Sequence, residues 1–402
     1  MKEKRIFSRR NFVVGGLSSV VGAGLVLSGN PLSAQSPFVV NNELTPGKKF
    51  KIGIIGCGNR SKIILGALNS VPDIEVTALC DIVPHKMEQR ALLIKNGPKP
   101  RFYTDLVEMF RQPDLDAIAV ITPNYMHKEH VIAALEAGKH VFCEKPMALS
   151  VADCNAMIGA VERTHKSLQI GTQRRHSGSY KMLVETLRTK PIGKILQSDL
   201  FDYRSDWRVP EADEYPKGVD YWRMDQKKCG GVVYEMGAHI IDVNNWIFDS
   251  EPVSVSSIQG VNNFSLRKRD STDHAGVLVR YANGSLMNYG GNVYNYGGAS
   301  PDTFFGINGT VQMTNNQLTI NYGYPKGFTN PVELPKPETI TLSGANPEGE
   351  GVVEELKHFA LVLDGKMKAY PDGYIARQSI QILEGSVRSA QERREIDVRE
   401  LG

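Results

Sequence analysis

Glu235, His239 and Asp242 fall four and three residues apart in the apolar run Val232–Phe248. On a helix that spacing puts all three on one face. An imidazole with a carboxylate one turn away is held in one tautomer and made more basic. Such a group can take a hydroxyl proton while a hydride leaves the same carbon. A histidine alone in an apolar helix is more often a satisfied core residue, so the helix by itself does not decide. A second candidate is Lys145, in Glu144-Lys145-Pro146 after the short run His140–Cys143. An ammonium there can bond an alcohol oxygen and stabilise the charge that builds as the proton departs. A solvated surface lysine would fit a bare Glu-Lys-Pro equally well.

Both candidates need a scaffold, and the chain supplies a recognisable one. Lys51–Ile55 reads as a buried strand that turns through Gly56-Cys57-Gly58-Asn59-Arg60-Ser61 into a helix near 60–69. The first glycine permits the tight turn. The second lets the backbone approach a pyrophosphate at the helix N-terminus. Ser61 stands where the fingerprint has a third glycine and is small enough for close helix–strand packing. Asp81 lies 23 residues after Gly58, at the end of the next strand, where a carboxylate accepts from a ribose 2′-hydroxyl. It would repel a 2′-phosphate, so NAD is expected over NADP. Thr122-Pro123-Asn124 and Glu144-Lys145-Pro146 also follow strands, and ligands bind at the carboxyl ends of strands in an open parallel sheet.

Strands alternate with helices to about residue 172, which predicts a parallel sheet covered on both faces. Beyond 173, short β-like runs recur at 195–203, 252–261, 274–281, 285–292, 310–313 and 317–322, with Gly/Asn turns between some of them. They predict a mostly antiparallel sheet. Helical patterns at 232–248, 352–363 and 374–391 complete this part. The expected fold is α/β: a linker at 35–50, a Rossmann domain at 51–172, and a substrate-binding α/β domain at 173–402 whose C-terminal helix packs back. The segment 323–347 has no readable period.

These motifs together resemble the Gfo/Idh/MocA oxidoreductases, over roughly residues 50–395. The resemblance rests on Lys51–Gly58, Asp81, Thr122-Pro-Asn-Tyr-Met-His127, Glu144-Lys-Pro146 and Gly230–Asp242. It implies hydride chemistry on sugars or cyclitols, with Lys145 and His239 near the substrate and Glu235 beside them. The dehydrogenases of that family carry Asp where Glu235 stands, and the longer side chain can reach substrate. Dinucleotide contacts are expected from Gly56, Gly58, Asn59, Arg60, Asp81, Thr122, Pro123, Asn124, His127, Glu144 and Lys145. Arg174, Tyr203, Trp207 and Asp242 are the expected substrate contacts, because arginine forks and aromatic faces suit a sugar. The family's large open sheet implies a homo-oligomer. No metal site is expected.

The chain has 402 residues, 41% apolar and 23% charged, ordinary values for a folded protein. Its net charge of +3 is unevenly placed. Five of the 47 basic residues and one of the 44 acidic ones fall in residues 1–34, leaving 42 against 43. Charge therefore gives no argument for a nucleic-acid partner. The five cysteines include no CxxC, and free buried thiols are expected. Residues 1–34 read as a twin-arginine signal, Ser8-Arg9-Arg10-Asn11-Phe12 before a glycine- and serine-diluted apolar stretch. That stretch is too short and weak for a permanent anchor. The expectation is export, folded, through the twin-arginine machinery to the periplasm or beyond.

Export constrains the chemistry. A dissociable NAD would be lost where no pool replaces it, so the cofactor should be tightly held and returned to its starting state in each cycle. A second sugar could do that. So could a redox-neutral glycosidase like the family's α-N-acetylgalactosaminidases: oxidation at C3, elimination at C1–C2, hydration and re-reduction.

Overall fold

The computed structural model describes residues 43–205, 221–262, 269–294, 301–314, 316–324, 333–342 and 351–402. The expected leader, the first half of the linker and Trp207 lie outside these residues.

The first sheet is built from runs too apolar to face water on either side. Strands β1 (Phe50–Ile55), β2 (Ile74–Cys80), β3 (Arg101–Tyr103), β4 (Ala117–Val120), β5 (His140–Glu144) and β6 (Leu168–Gly171) lie parallel in the order β3-β2-β1-β4-β5-β6. This is the doubly wound order, with its switch point between β1 and β4. Helices α1 (Asn59–Leu68), α2 (Pro84–Ala91), α3 (Leu106–Phe110), α4 (His127–Glu136) and α5 (Val151–Thr164) connect the strands. Ile52, Ile54 and Ile64 are 1% exposed or less, and each such side chain contributes about 1.5–3 kcal/mol. Helix α2 and strand β3 carry little apolar pattern, and α3 has only five residues, so sequence periodicity does not disclose them.

The second sheet contains β7 (Ile195–Tyr203), β8 (Pro252–Gly260), β9 (His274–Tyr281), β10 (Leu286–Asn292), β11 (Asp302–Gly306), β12 (Gly309–Met313), β13 (Gln317–Tyr322), β14 (Glu338–Thr341) and β15 (Ile396–Asp397). Its order is β14-β13-β12-β11-β7-β10-β9-β8-β15. All pairs are antiparallel except β7 with β10. Strand β9 alternates exposed and buried residues, as a sheet with one covered face requires. Strands β11 and β14 escape the sequence reading: they are short, and β14 falls in the stretch without a period.

Helices α6 (Gly178–Thr189), α7 (Gln226–Cys229), α8 (Ala238–Phe248), α9 (Val352–Leu363) and α10 (Gly373–Glu392) complete the described structure. Helix α6 is not among the elements expected from sequence, although it has a start signal, Ser177, whose hydroxyl accepts from the Tyr180 N–H. The expected helix over 232–248 is in fact one π turn, Val233–Gly237, followed by α8. Helix α10 packs back against β8, α5 and α8. Helix α9 goes further, joining the core of β1, β2 and β4, with Phe359 against the Phe142 ring at 5.8 Å. The first sheet thus recruits cover from the far end of the chain, and the boundary at 172 separates sequence more cleanly than it separates cores. All five cysteines are buried and free.

Candidate active site

One cavity of about 1610 Å³ runs from the carboxyl ends of the first sheet to the second sheet. Gly56, Gly58, Asn59, Arg60, Asp81, Thr122, Pro123, Asn124, Glu144, Lys145, Arg174, Tyr203, Glu235 and His239 all line it. His127 and Asp242 do not.

At the nucleotide end, backbone geometry does most of the selecting. Gly56 has φ +92°, and a Cβ there would come within 2.5 Å of the Ile121 carbonyl oxygen. A Cβ on Gly58 would meet nothing within 4 Å, so the first turn of α1 stands open to an approaching phosphate. No side chain caps that helix start. Ser61 is fully buried and donates to the Gly58 carbonyl at 2.7 Å, and Arg90 donates to the same oxygen and to the Ser61 hydroxyl. The sequence reading did not find Arg90, which lies 29 residues beyond Ser61 with no motif around it. Asp81 accepts the Cys57 N–H at 2.7 Å and the Val83 N–H at 2.8 Å. Each of its oxygens keeps a lone pair, so the carboxylate can fix the turn and still accept from a ribose hydroxyl. An open helix start, a glycine turn that excludes Cβ and a terminal carboxylate fit a dinucleotide.

The middle of the cavity is held by charge-assisted bonds within each domain and by Asn124 between them. Arg60 donates to Glu144 at 2.6 Å. Asn124 donates to Glu235 Oε1 at 2.6 Å and to the Cys229 carbonyl at 2.9 Å. Arg223 donates to Glu235 Oε2 at 2.7 Å. Asn124 thus ties the domains together, a role its motif did not announce. Burial pushes the Glu235 carboxyl up, but Arg223, Lys145 and the bonds from Arg223 and Asn124 outweigh it and hold it below the ordinary value. Glu235 is therefore an anion committed to two donors. His127 sits beneath, its ring nitrogens 2.9 and 2.8 Å from the carbonyls of Thr122 and Pro146. It joins the two loops that carry cofactor-facing residues, rather than facing the cavity itself.

Lys145 donates to the backbone carbonyl of Glu235, inside the π turn, at 2.8 Å. Burial lowers its pKa to about 8 despite Glu235 and Glu144 nearby. His239 follows the same turn. Burial first, then Lys145, Arg174, Arg60 and Arg204, hold its pKa well below 6.5. The imidazole is neutral at neutral pH, the state a base needs.

The expected partnership of His239 with carboxylates is not made. Nδ1 of His239 is buried without a hydrogen-bond partner. The π turn alters the angular spacing between 235 and 239, and Arg223 and Asn124 engage Glu235 instead. Asp242, expected on substrate, is fully buried and bonds Arg175 at 2.7 and 3.1 Å. Arg175 also donates to the Tyr370 hydroxyl. A carboxylate with no exposure needs such a partner, and Arg175, which sequence suggests only as one of several residues that could face substrate, is paired to it from 67 residues away. Tyr203 and Arg174 are in the cavity wall as expected. Asp302, at the start of β11, is a lining residue that no motif marks.

A parallel sheet with a glycine turn at its switch point and an acid–base pair facing it defines a dinucleotide-dependent oxidoreductase fold. Residues 50–172 match the oxidoreductase family's NAD-binding Rossmann fold, and 184–398 match its C-terminal alpha/beta domain. The chain belongs to the Gfo/Idh/MocA oxidoreductase family, and its cofactor is NAD.

Myo-inositol 2-dehydrogenase of Thermotoga maritima is 30% identical over 239 residues, 59% of this chain and 66% of that protein. Inositol 2-dehydrogenase of Salmonella typhimurium is 32% identical over 203 residues, 50% of this chain and 55% of that protein. The matches thus span between about half and two thirds of these relatives. Among solved structures, an aldose–aldose oxidoreductase from Caulobacter crescentus with glycerol has a TM-score of 0.71 at 21% identity, over 87% of this chain and 100% of that one. A levoglucosan dehydrogenase with NADH and levoglucosan has a TM-score of 0.70 at 20% identity, over 87% and 100%. At those identities the structural likeness speaks for the fold.

Proposed function

We propose that this chain is an exported carbohydrate oxidoreductase that keeps its NAD and oxidises a ring CH–OH of a sugar. The observation that carries this reading is the meeting of Lys145 and a neutral His239 in the cavity that begins at the glycine turn. The relatives named inositol dehydrogenases and the levoglucosan complex support a polyol or sugar as substrate. NAD, when bound, supplies the hydride acceptor. Lys145, as an ammonium, bonds the reacting hydroxyl oxygen and stabilises its growing charge. His239 takes the hydroxyl proton. Glu235, held by Arg223 and Asn124, fixes the backbone carbonyl on which Lys145 rests.

Export is supported by Ser8-Arg9-Arg10 and the apolar stretch after it. Retention of NAD follows from export by the argument on cofactor loss. The outer face of the nine-stranded sheet, with Ile258, Leu278 and Leu286 exposed, is the surface through which copies would join.

A second reading is redox-neutral glycoside hydrolysis, and Asp302 favours it. Burial raises that carboxyl to about 7, which leaves a proton donor for a departing glycosidic oxygen. In this scheme the hydride and hydroxyl proton leave C3, and a base removes the acidified C2 proton. The C1–O bond then breaks as Asp302 protonates the leaving oxygen. Water adds back across C1–C2, and the hydride returns to C3 as His239 returns the proton to its oxygen. Glu235 is a poor choice for the C2 base, because both of its oxygens are already engaged.

The test is acid release of nucleotide from mature protein exported by its own signal, with none added. Near-stoichiometric NAD is expected, followed by nicotinamide reduction when sugars are supplied. An empty protein would overturn retention. Turnover of aryl glycosides without added NAD would select the second reading.

A further inference from the structure

Two buried polar atoms without a hydrogen-bond partner lie on residues that line the substrate end of the cavity, Nε of Arg174 and Nδ1 of His239, and a third, the hydroxyl of Tyr289, is buried near Arg174. The ring of Tyr289 packs against Gly237 of the π turn, and its phenol lies within electrostatic reach of Arg174. Buried polar groups are normally satisfied, so such a cluster at a cavity wall marks where a ligand completes the bonding. Arg174 contributes only donors. Its guanidinium stacks on the Tyr180 ring at 5.1 Å and makes no ion pair among the described residues.

We propose that the sugar this site takes carries one carboxylate, seated on the Arg174 guanidinium: a hexuronic acid or a glycoside of one. The inference rests on the carbohydrate reading above and narrows it. Its main support is the charge inventory of the wall. Arg60 is paired with Glu144, Arg223 with Glu235, and Arg204 with Asp202. Among the described residues there, Lys145, Arg174 and Asp302 remain. Lys145 is needed at the reacting hydroxyl. Asp302 is protonated over part of the neutral range, since burial raises it to about 7. Arg174 makes no ion pair among the described residues, with Asp202 and Asp302 only within electrostatic reach, so an arriving carboxylate can become its direct partner. A planar fork matches a carboxylate in two parallel bonds. One spare cation also argues for a single negative charge rather than the two of a phosphate monoester.

The test is calorimetric binding of a panel of hexuronic acids, each beside its parent hexose and the hexose 6-phosphate, to the NAD-loaded protein. At least one uronate should bind tighter than its hexose by on the order of ten- to a hundredfold, the range for a charge-assisted pair. In Arg174→Gln that ratio should fall to near one, and Arg174→Lys should recover part of it. Equal or better binding of the hexose, or tightest binding of the 6-phosphate, overturns the proposal. So does a uronate preference that survives in Arg174→Gln, or binding of no sugar at all. Nicotinamide absorbance is read in the same samples. A uronate that binds and never reduces the cofactor would sink the oxidoreductase reading while leaving the charge inference standing.

Discussion

The two ends of the cavity solve different problems. At the nucleotide end the side chains are engaged before any ligand arrives, and only the uncapped start of α1 stays open: Asp81 holds two backbone N–H groups, and Ser61 and Arg90 tie down the Gly58 carbonyl. At the substrate end the wall keeps open valences on Arg174 and His239, with the unpartnered Tyr289 hydroxyl buried near Arg174. The first end is a rigid backbone shape that one short stretch of chain can specify. The second is a set of side chains from the first sheet's loops, the start of α8 and the second sheet. A cofactor common to many chemistries can be read by the first kind of device. A particular substrate needs the second.

The largest effect should come from a residue that sits on the substrate helix without facing the cavity. Asp242→Asn leaves Arg175 buried and unpaired, which should cost about 3–5 kcal/mol of stability. Thermal unfolding beside His239→Ala checks this, since His239→Ala should unfold near the wild-type temperature and lose turnover instead. If Asp242→Asn melts like wild type but binds sugar poorly, Asp242 belongs to the substrate end and the contrast drawn along this helix is wrong.

Next in size is Lys145→Met. It should lower turnover on the order of 10²-fold or more while acid release still yields full NAD, because Lys145 acts at the open end. Its pH signature follows from the direction of its shift. Burial brings the ammonium to about 8, so the charged form is lost as pH rises through that value. The rate of nicotinamide reduction should fall above about pH 8 and stay level through neutrality, where His239 is already unprotonated. A descending limb near the ordinary lysine value of 10.5 would mean that burial does not tune this group in the working enzyme.

How far each end was legible follows from the same difference. The glycine turn, Asp81 and strands β1, β2, β4, β5 and β6 could be read because local sequence dictates them: apolar runs, a turn that excludes Cβ, a carboxylate at a strand end. Lys145 and His239 could be located but not partnered. The i,i+4 rule assumes an α-helix, and the π turn at 233–237 breaks it. Arg223, Arg175 and Asn124 became structural partners through contacts 12, 67 and 111 residues away, a separation that no periodicity encodes. Asp302 sits at the head of a five-residue strand that begins with Asp and ends with Gly, types that strands disfavour.

The smallest effect probes whether the nucleotide end is only a shape. Asp81 has two candidate duties, fixing the turn through Cys57 and Val83 and accepting from the ribose. Removing the carboxylate abolishes both, and it also removes the charge that opposes a 2′-phosphate. Asp81→Ala should therefore weaken NAD and shift the NAD/NADP preference by about tenfold toward NADP, the size of one lost charge-assisted bond. Competitive binding of the two nucleotides to refolded, nucleotide-free protein measures the shift. Asp81→Asn separates the duties. Its side-chain oxygen can still accept one of the two backbone N–H groups, so the turn should keep part of its hold while the negative charge is gone. If preference moves in both variants, the carboxylate reads the ribose as well as holding the turn. If both variants bind the two nucleotides less well in equal proportion, Asp81 acts on the backbone alone, and the choice of NAD is made elsewhere along the rim.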